Sequence, residues 1–65
     1  MTLQQLRHVI RVASTGSINK AAKLLGISQP TLTDSIKKLE RELGITIFER
    51  HPSGVRLTQD GTEFL

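Results

Sequence analysis

The chain has 65 residues, nine Lys and Arg against six Asp and Glu for a formal charge of +3, and no cysteine. That length allows one domain and one small core, because so short a chain buries only ~60% of its unfolded surface. The absence of cysteine excludes disulfides and thiolate metal sites and suits a reducing compartment. No apolar run approaches the ~20 residues of a membrane helix. His8 and His51 have no acidic cluster beside them in sequence and read as surface residues, not metal ligands.

Thr2 and Gln5 have the spacing of a capping box, and Leu3, Leu6, Val9, Ile10 and Ala13 trace one apolar stripe behind them. This predicts a first helix of about twelve residues, closed at Gly16, with Met1 leading into a capped helix and not into a signal peptide. Val12 lies off the stripe and is a candidate for contact with a partner chain, an ordinary exposed valine being the plainer reading. Ser17 is a good N-cap for a second helix in which Ile18, Ala21, Ala22 and Leu25 recur at helical spacing and Gly26 makes the stop. Ile27 turns back toward the core, and Ser28 opens a third helix that tolerates Pro30 in its first turn.

A short helix, a tight turn with glycine and another helix form a helix-turn-helix, although an ordinary helical hairpin shares the pattern. Over Gln29–Leu43 the residues Leu32, Ile36, Leu39 and Leu43 face inward. At ~100° per residue, Pro30, Asp34, Lys37 and Arg41 point the other way, with Thr33 and Lys38 on the flanks. Gly44 ends that helix. Ile45–Arg50 is then rich in β-branched and aromatic residues, His51–Gly54 is a turn, and Val55–Leu57 alternates, which predicts a β-hairpin. Ile45, Ile47, Phe48, Val55 and Leu57 are its expected core contribution. Thr58 caps a last helix in which Gly61 suggests close approach of a neighbouring backbone, and Phe64-Leu65 breaks off without a C-cap, as in a fragment of a longer protein.

The fold class is therefore mainly α with a small β-hairpin, a winged helix-turn-helix made of a three-helix core, a two-stranded wing and the start of a linker helix. Residues 1–58 form the domain and 59–65 begin the linker. The chain resembles the N-terminal DNA-binding domain of LysR-type transcriptional regulators along its whole length. The resemblance is carried by Leu3-Gln-Gln-Leu-Arg7, Gly16-Ser17, Lys20-Ala-Ala-Lys-Leu-Leu25, Ile27-Ser-Gln-Pro30, Thr33, Ile36, Leu39-Glu40, Glu42-Leu-Gly44, Ile47-Phe-Glu-Arg50 and Arg56-Leu-Thr58 with Gly61. It implies a bacterial or archaeal, cytoplasmic regulator of transcription with no enzymatic activity and no cofactor in this segment. It also implies a further C-terminal domain that binds a small effector, and a homodimer (a tetramer in some full-length proteins) paired through the linker helix on an inverted repeat in double-stranded DNA.

Carried over position by position, Gln29, Pro30, Thr33 and Asp34 are the candidates for reading bases. Ser17, Ser28, Thr31, Lys37, Lys38, Arg50, Ser53 and Arg56 are the candidates for phosphate or wing contacts, and Val12, Phe64 and Leu65 for dimerisation. Two positions depart from the family pattern. Asp34 stands where Arg is frequent, and His8-Val9 replaces the usual aromatic of the first helix. The competing functions are a winged helix used for protein–protein contact, whose binding would not fall steeply with salt, and an enzyme. For an enzyme the candidate nucleophiles are Ser14, Ser17, Ser28, Ser35 and Ser53 with His8 or His51 as base. Several of these serines are already explained as caps or turn residues, and no third group orients the base, so that reading is rejected.

Overall fold

A computed structural model describes all 65 residues. Three helices, α1 (Leu3–Thr15), α2 (Ile18–Leu25) and α3 (Gln29–Leu43), are followed by strands β1 (Phe48–His51) and β2 (Gly54–Leu57) and by helix α4 (Gln59–Phe64). Each helix begins at a side-chain cap. Thr2 and Gln5 make the reciprocal capping box at α1, with Gln5 N donating to Thr2 Oγ1 at 3.0 Å and Thr2 N to Gln5 Oε1 at 2.9 Å. Ser17, Ser28 and Thr58 accept from the backbone three residues on. Gly16, Gly26 and Gly44 close α1, α2 and α3 in the left-handed conformation that glycine adopts without strain.

The core consists of Val9, Val12, Ala21, Ala22, Leu32, Ile36, Leu39 and Ile47. Ala21 and Ala22 are the buried residues of α2, which packs against both other helices. The face that α1 buries differs from the apolar stripe. Leu3 is 75% exposed and Ile10 50% exposed, whereas His8, Val9 and Val12 are buried, a rotation of roughly a quarter turn. Apolar spacing misplaced the face because polar residues on its edge find partners inside: His8 Nδ1 lies 2.8 Å from Ser35 Oγ, and Thr15 Oγ1 donates to the Ser17 carbonyl at 3.0 Å. Val12 is completely buried within its own domain, so it offers nothing to a partner chain. His8, expected at the surface, is likewise an interior residue.

The hairpin pairs Phe48 with Leu57, Glu49 with Arg56, Arg50 with Val55 and His51 with Gly54 around the turn residues Pro52 and Ser53. The first strand starts three residues later than Ile45. Leu57 is the last residue of β2 and already pairs with Phe48, so Ile45–Ile47 have no ladder partner. Those residues are held by α3 and α4 instead, with Ile47 fully buried and Ile45, Phe48, Val55 and Leu57 half-buried around the core. Two strands alone are marginal, and the wing is fastened to the helices. Val55 N donates to the Gly16 carbonyl at 3.1 Å. A Cβ on Gly61 of α4 would overlap the Ile47 carbonyl, the close approach that a glycine inside a helix suggested.

Candidate nucleic-acid interface

The α2–turn–α3 unit is built by hydrogen bonds that the local sequence supplies. Gly26 N donates to Lys23 O at 3.2 Å and Ile27 N to Ala22 O at 3.1 Å, which ends α2 and drops Ile27 toward the core. Ser28 caps α3, its Oγ accepting from Thr31 N at 3.2 Å and lying 2.8 Å from Thr31 Oγ1. With Leu32, Ile36 and Leu39 sunk in the core, α3 presents Gln29, Pro30, Thr31, Asp34, Lys37, Lys38 and Arg41 to solvent. Thr33 is half-buried, because it faces the wing. Thr33, Lys37, Phe48 and Arg50 line one cleft between α3 and β1, so two groups of residues far apart in sequence meet there.

The charges on this face are arranged as loose pairs. Lys38 Nζ lies 3.0 Å from Asp34 Oδ2, and Lys37 Nζ lies 3.5 Å from Glu40 Oε1. Across the wing, Arg56 Nε lies 3.3 Å from Glu49 Oε1, the two residues being register partners. The Lys38–Asp34 and Arg56–Glu49 pairs are exposed on both sides and worth about 0.2–1 kcal/mol each. An incoming phosphate can therefore replace their carboxylates at small cost, whereas Lys37 faces the buried Glu40. Arg41, Arg50, Lys20 and Lys23 have no ion-pair partner. Neither α2 nor α3 carries an acidic residue in its first turn, which leaves the positive ends of both helix dipoles uncompensated.

Of the remaining candidates, Ser53 is exposed in the turn of the wing with its Oγ 3.1 Å from His51 Nδ1. Ser17 is half-buried and spends its hydroxyl oxygen on the α2 cap, accepting from Lys20 N at 3.1 Å. Phe64 is half-buried against the core and Leu65 is 49% exposed, so of the three dimerisation candidates only these two, on or beside α4, reach outward. The Glu40 carboxylate is buried beside the cleft and was not singled out by sequence reasoning. The signal was present: Glu40 follows Leu39 on the flank of the inward stripe, seven residues before Ile47. Burial holds the His8 imidazole below its ordinary pKa of 6.5, and the Arg7 charge adds to the effect. Its Ser35 partner completes a serine–histidine pair but not a triad, and no group of three His, Cys, Asp or Glu is placed to hold a metal ion.

Residues 3–62 match the model of the family described as bacterial regulatory helix-turn-helix protein, lysR family. The chain is 51% identical over 65 residues to the HTH-type transcriptional regulator ClcR of Pseudomonas putida, covering all of this chain and 22% of that protein. It is 47% identical over 64 residues to the HTH-type transcriptional regulator BudR of Klebsiella aerogenes, covering 98% and 45% of the two chains. Among solved structures it is similar to the CbnR DNA-binding domain in complex with DNA, with a TM-score of 0.93 and 42% identity over all of this chain and 75% of that one. It is also similar to the BenM DNA-binding domain on the catB site 1 DNA, with a TM-score of 0.92 and 42% identity over 98% and 69% of the two chains. The chain thus spans about a fifth to a half of the length of the regulators it matches, and those relatives are named as regulators, not enzymes. No helix is long and apolar enough to cross a membrane.

Proposed function

Because the chain belongs to the lysR family of bacterial regulatory helix-turn-helix proteins, we propose that it is the DNA-reading part of a transcription regulator, with α3 in the major groove and the wing against the adjoining backbone. The observation that carries this is the outward face of α3. A capped N-terminus without acidic residues, a polar row from Gln29 to Arg41 and the wing's Arg50 form one surface. Gln29 sits at the end of the helix that enters a groove first and suits adenine; Pro30 and Thr33 suit a thymine methyl. Asp34 accepts from cytosine N4 once Lys38 turns to a phosphate. Lys37, Lys38, Arg50, Ser53 and Arg56 serve the backbone, together with the capped helix starts at Ser17 and Ser28.

In the whole protein, two copies pair through the helix begun at α4 and read an inverted repeat, and a further domain binds a small effector. Family membership and the fraction of the relatives' length spanned support that arrangement. The test is selection of duplexes from a random library, followed by titration. Gln29→Ala is expected to cost roughly 1–3 kcal/mol on the selected site and to relax preference at one base pair. Lys37→Ala is expected to weaken all sequences alike and to lower the salt slope by about one. Equal weakening of selected and random DNA by Gln29→Ala removes it as a reader.

A further inference from the structure

Glu40 lies in α3, is 8% exposed, and is the only acidic side chain in the interior. Its acceptors are divided between the parts of the molecule that face DNA in the reading above, on which this inference rests. Carboxylate Oε2 accepts from Ile47 N at 2.6 Å and from Phe48 N at 3.4 Å, the residues at which the chain enters the wing. Oε1 lies 3.5 Å from Lys37 Nζ, one turn back on the outer face of α3. The Glu40 backbone carbonyl accepts from Gly44 N at 2.8 Å and Ile45 N at 3.2 Å, closing the helix. One residue therefore holds the connector from helix end to wing root by four backbone N–H groups and restrains a cation of the helix face as well. The Ile47–Phe48 peptide is gripped from its other side, the Ile47 carbonyl accepting from Thr58 N at 2.9 Å and from Thr58 Oγ1 at 3.3 Å.

We infer that Glu40 is a positioning residue for DNA recognition, fixing the wing and the Lys37 ammonium at one spacing from the base-reading face of α3. A carboxylate suits the task because charge-assisted bonds to backbone N–H are stronger and more directional than neutral ones, and burial protects them from water. Its two oxygens also let one group hold main chain and cation together. A neutral amide in the same place keeps the shape, accepts with one oxygen only and presents an NH2 group toward Lys37.

The test compares wild type, Glu40→Gln and Lys37→Ala on a duplex selected with the wild-type chain and on a shuffled duplex of equal composition. Glu40→Gln is expected to lower the ratio of selected to shuffled affinity about tenfold, because misplaced wing and helix lose the specific geometry while the overall charge attraction persists. Lys37→Ala is expected to cost clearly less in the Glu40→Gln background than in wild type, the non-additivity of residues that act as a unit. A role in stability alone would lower both affinities together and leave the two effects additive, and that result overturns the inference. Lys37→Ala, an exposed substitution, also gives a readout that does not depend on Glu40→Gln folding. The Ile47 and Phe48 amide resonances are expected to shift in it, and unmoved resonances overturn the link. Failure of the wild-type chain to enrich any duplex overturns the DNA reading itself and is seen before any variant is compared.

Discussion

Gly61→Ala sets two physical effects against each other. Alanine in a helix is favoured over glycine by about 1 kcal/mol, so helix propensity alone predicts a more stable protein. The packing predicts the reverse. Gly61 is buried, and a Cβ there would overlap the carbonyl oxygen of Ile47 and press on its carbonyl carbon and Cα, which are main-chain atoms with no rotamer to escape into. Relief requires α4 to move off the wing root, which strains the Thr58 N to Ile47 O bond of 2.9 Å and the Gly61 N to Thr58 Oγ1 cap of 2.9 Å. Overpacking of this kind costs about 1–3 kcal/mol and each weakened bond about 0.5–1.5 kcal/mol. After subtracting the helix gain, the net loss is about 1–5 kcal/mol, with a middle value of about 3 kcal/mol. Against the roughly 3–10 kcal/mol expected for a domain of this length, that is a large share, and it lowers Tm by on the order of 10–20 °C. Thermal and urea melts followed by circular dichroism read it directly. Gly26→Ala is the control: nothing lies near its Cβ, but its φ is +72°, so it carries only the conformational cost of about 1–2 kcal/mol. A Gly61→Ala protein as stable as wild type, or more so, refutes the argument from the Ile47 carbonyl.

The depressed pKa of His8 makes stability depend on pH. Its folded value lies below that of the unfolded chain, so the unfolded chain binds the extra proton between the two. The contribution is complete above about pH 6.5 and is lost as pH falls through the folded value. The urea midpoint is expected to drop from pH 7 to pH 5 in wild type and to drop less in His8→Gln; equal slopes would assign the dependence to other groups. Asp34→Arg removes the exposed pair with Lys38 and is expected to leave stability within about 0.5 kcal/mol. It should also raise affinity for random DNA and shift the preferred base toward guanine, and repeated selection with an unchanged preference would reduce Asp34 to a salt-bridge partner.

The helix boundaries were legible because each is written in two or three adjacent residues. Ser17 and Gly26 bracket α2, and Ser28 and Gly44 bracket α3, as capping chemistry requires. The inward face of α3 was legible for the same local reason, since Leu32, Ile36 and Leu39 repeat at helical spacing. What failed was any feature decided by a residue distant in sequence. His8 is buried because Ser35 is there to meet it, and Val12 because α1 is rotated to serve that contact. Ile45 and Thr46 read as strand by composition, but β2 ends at Leu57 and offers them no ladder. The candidates on α3 other than the half-buried Thr33 proved to be exposed as the helical period required, whereas the cleft joining Thr33 and Lys37 to Arg50 needed the tertiary fold.

The Val55–Gly16 bond bears on how such a domain can diverge. It joins the second wing strand to the turn ahead of α2 by main chain alone, and Gly54 beside it leaves no room for a side chain. The relative placement of wing and α2 is thus indifferent to what Gln29, Pro30 or Arg50 happens to be. On the base-reading roles proposed for Gln29 and Pro30, a lineage can exchange those two residues one at a time, and so change the DNA address, without reworking the frame that presents them. The places closed to such drift are the silent ones, the Gly16–Gly54 contact among them, where nothing faces the ligand at all.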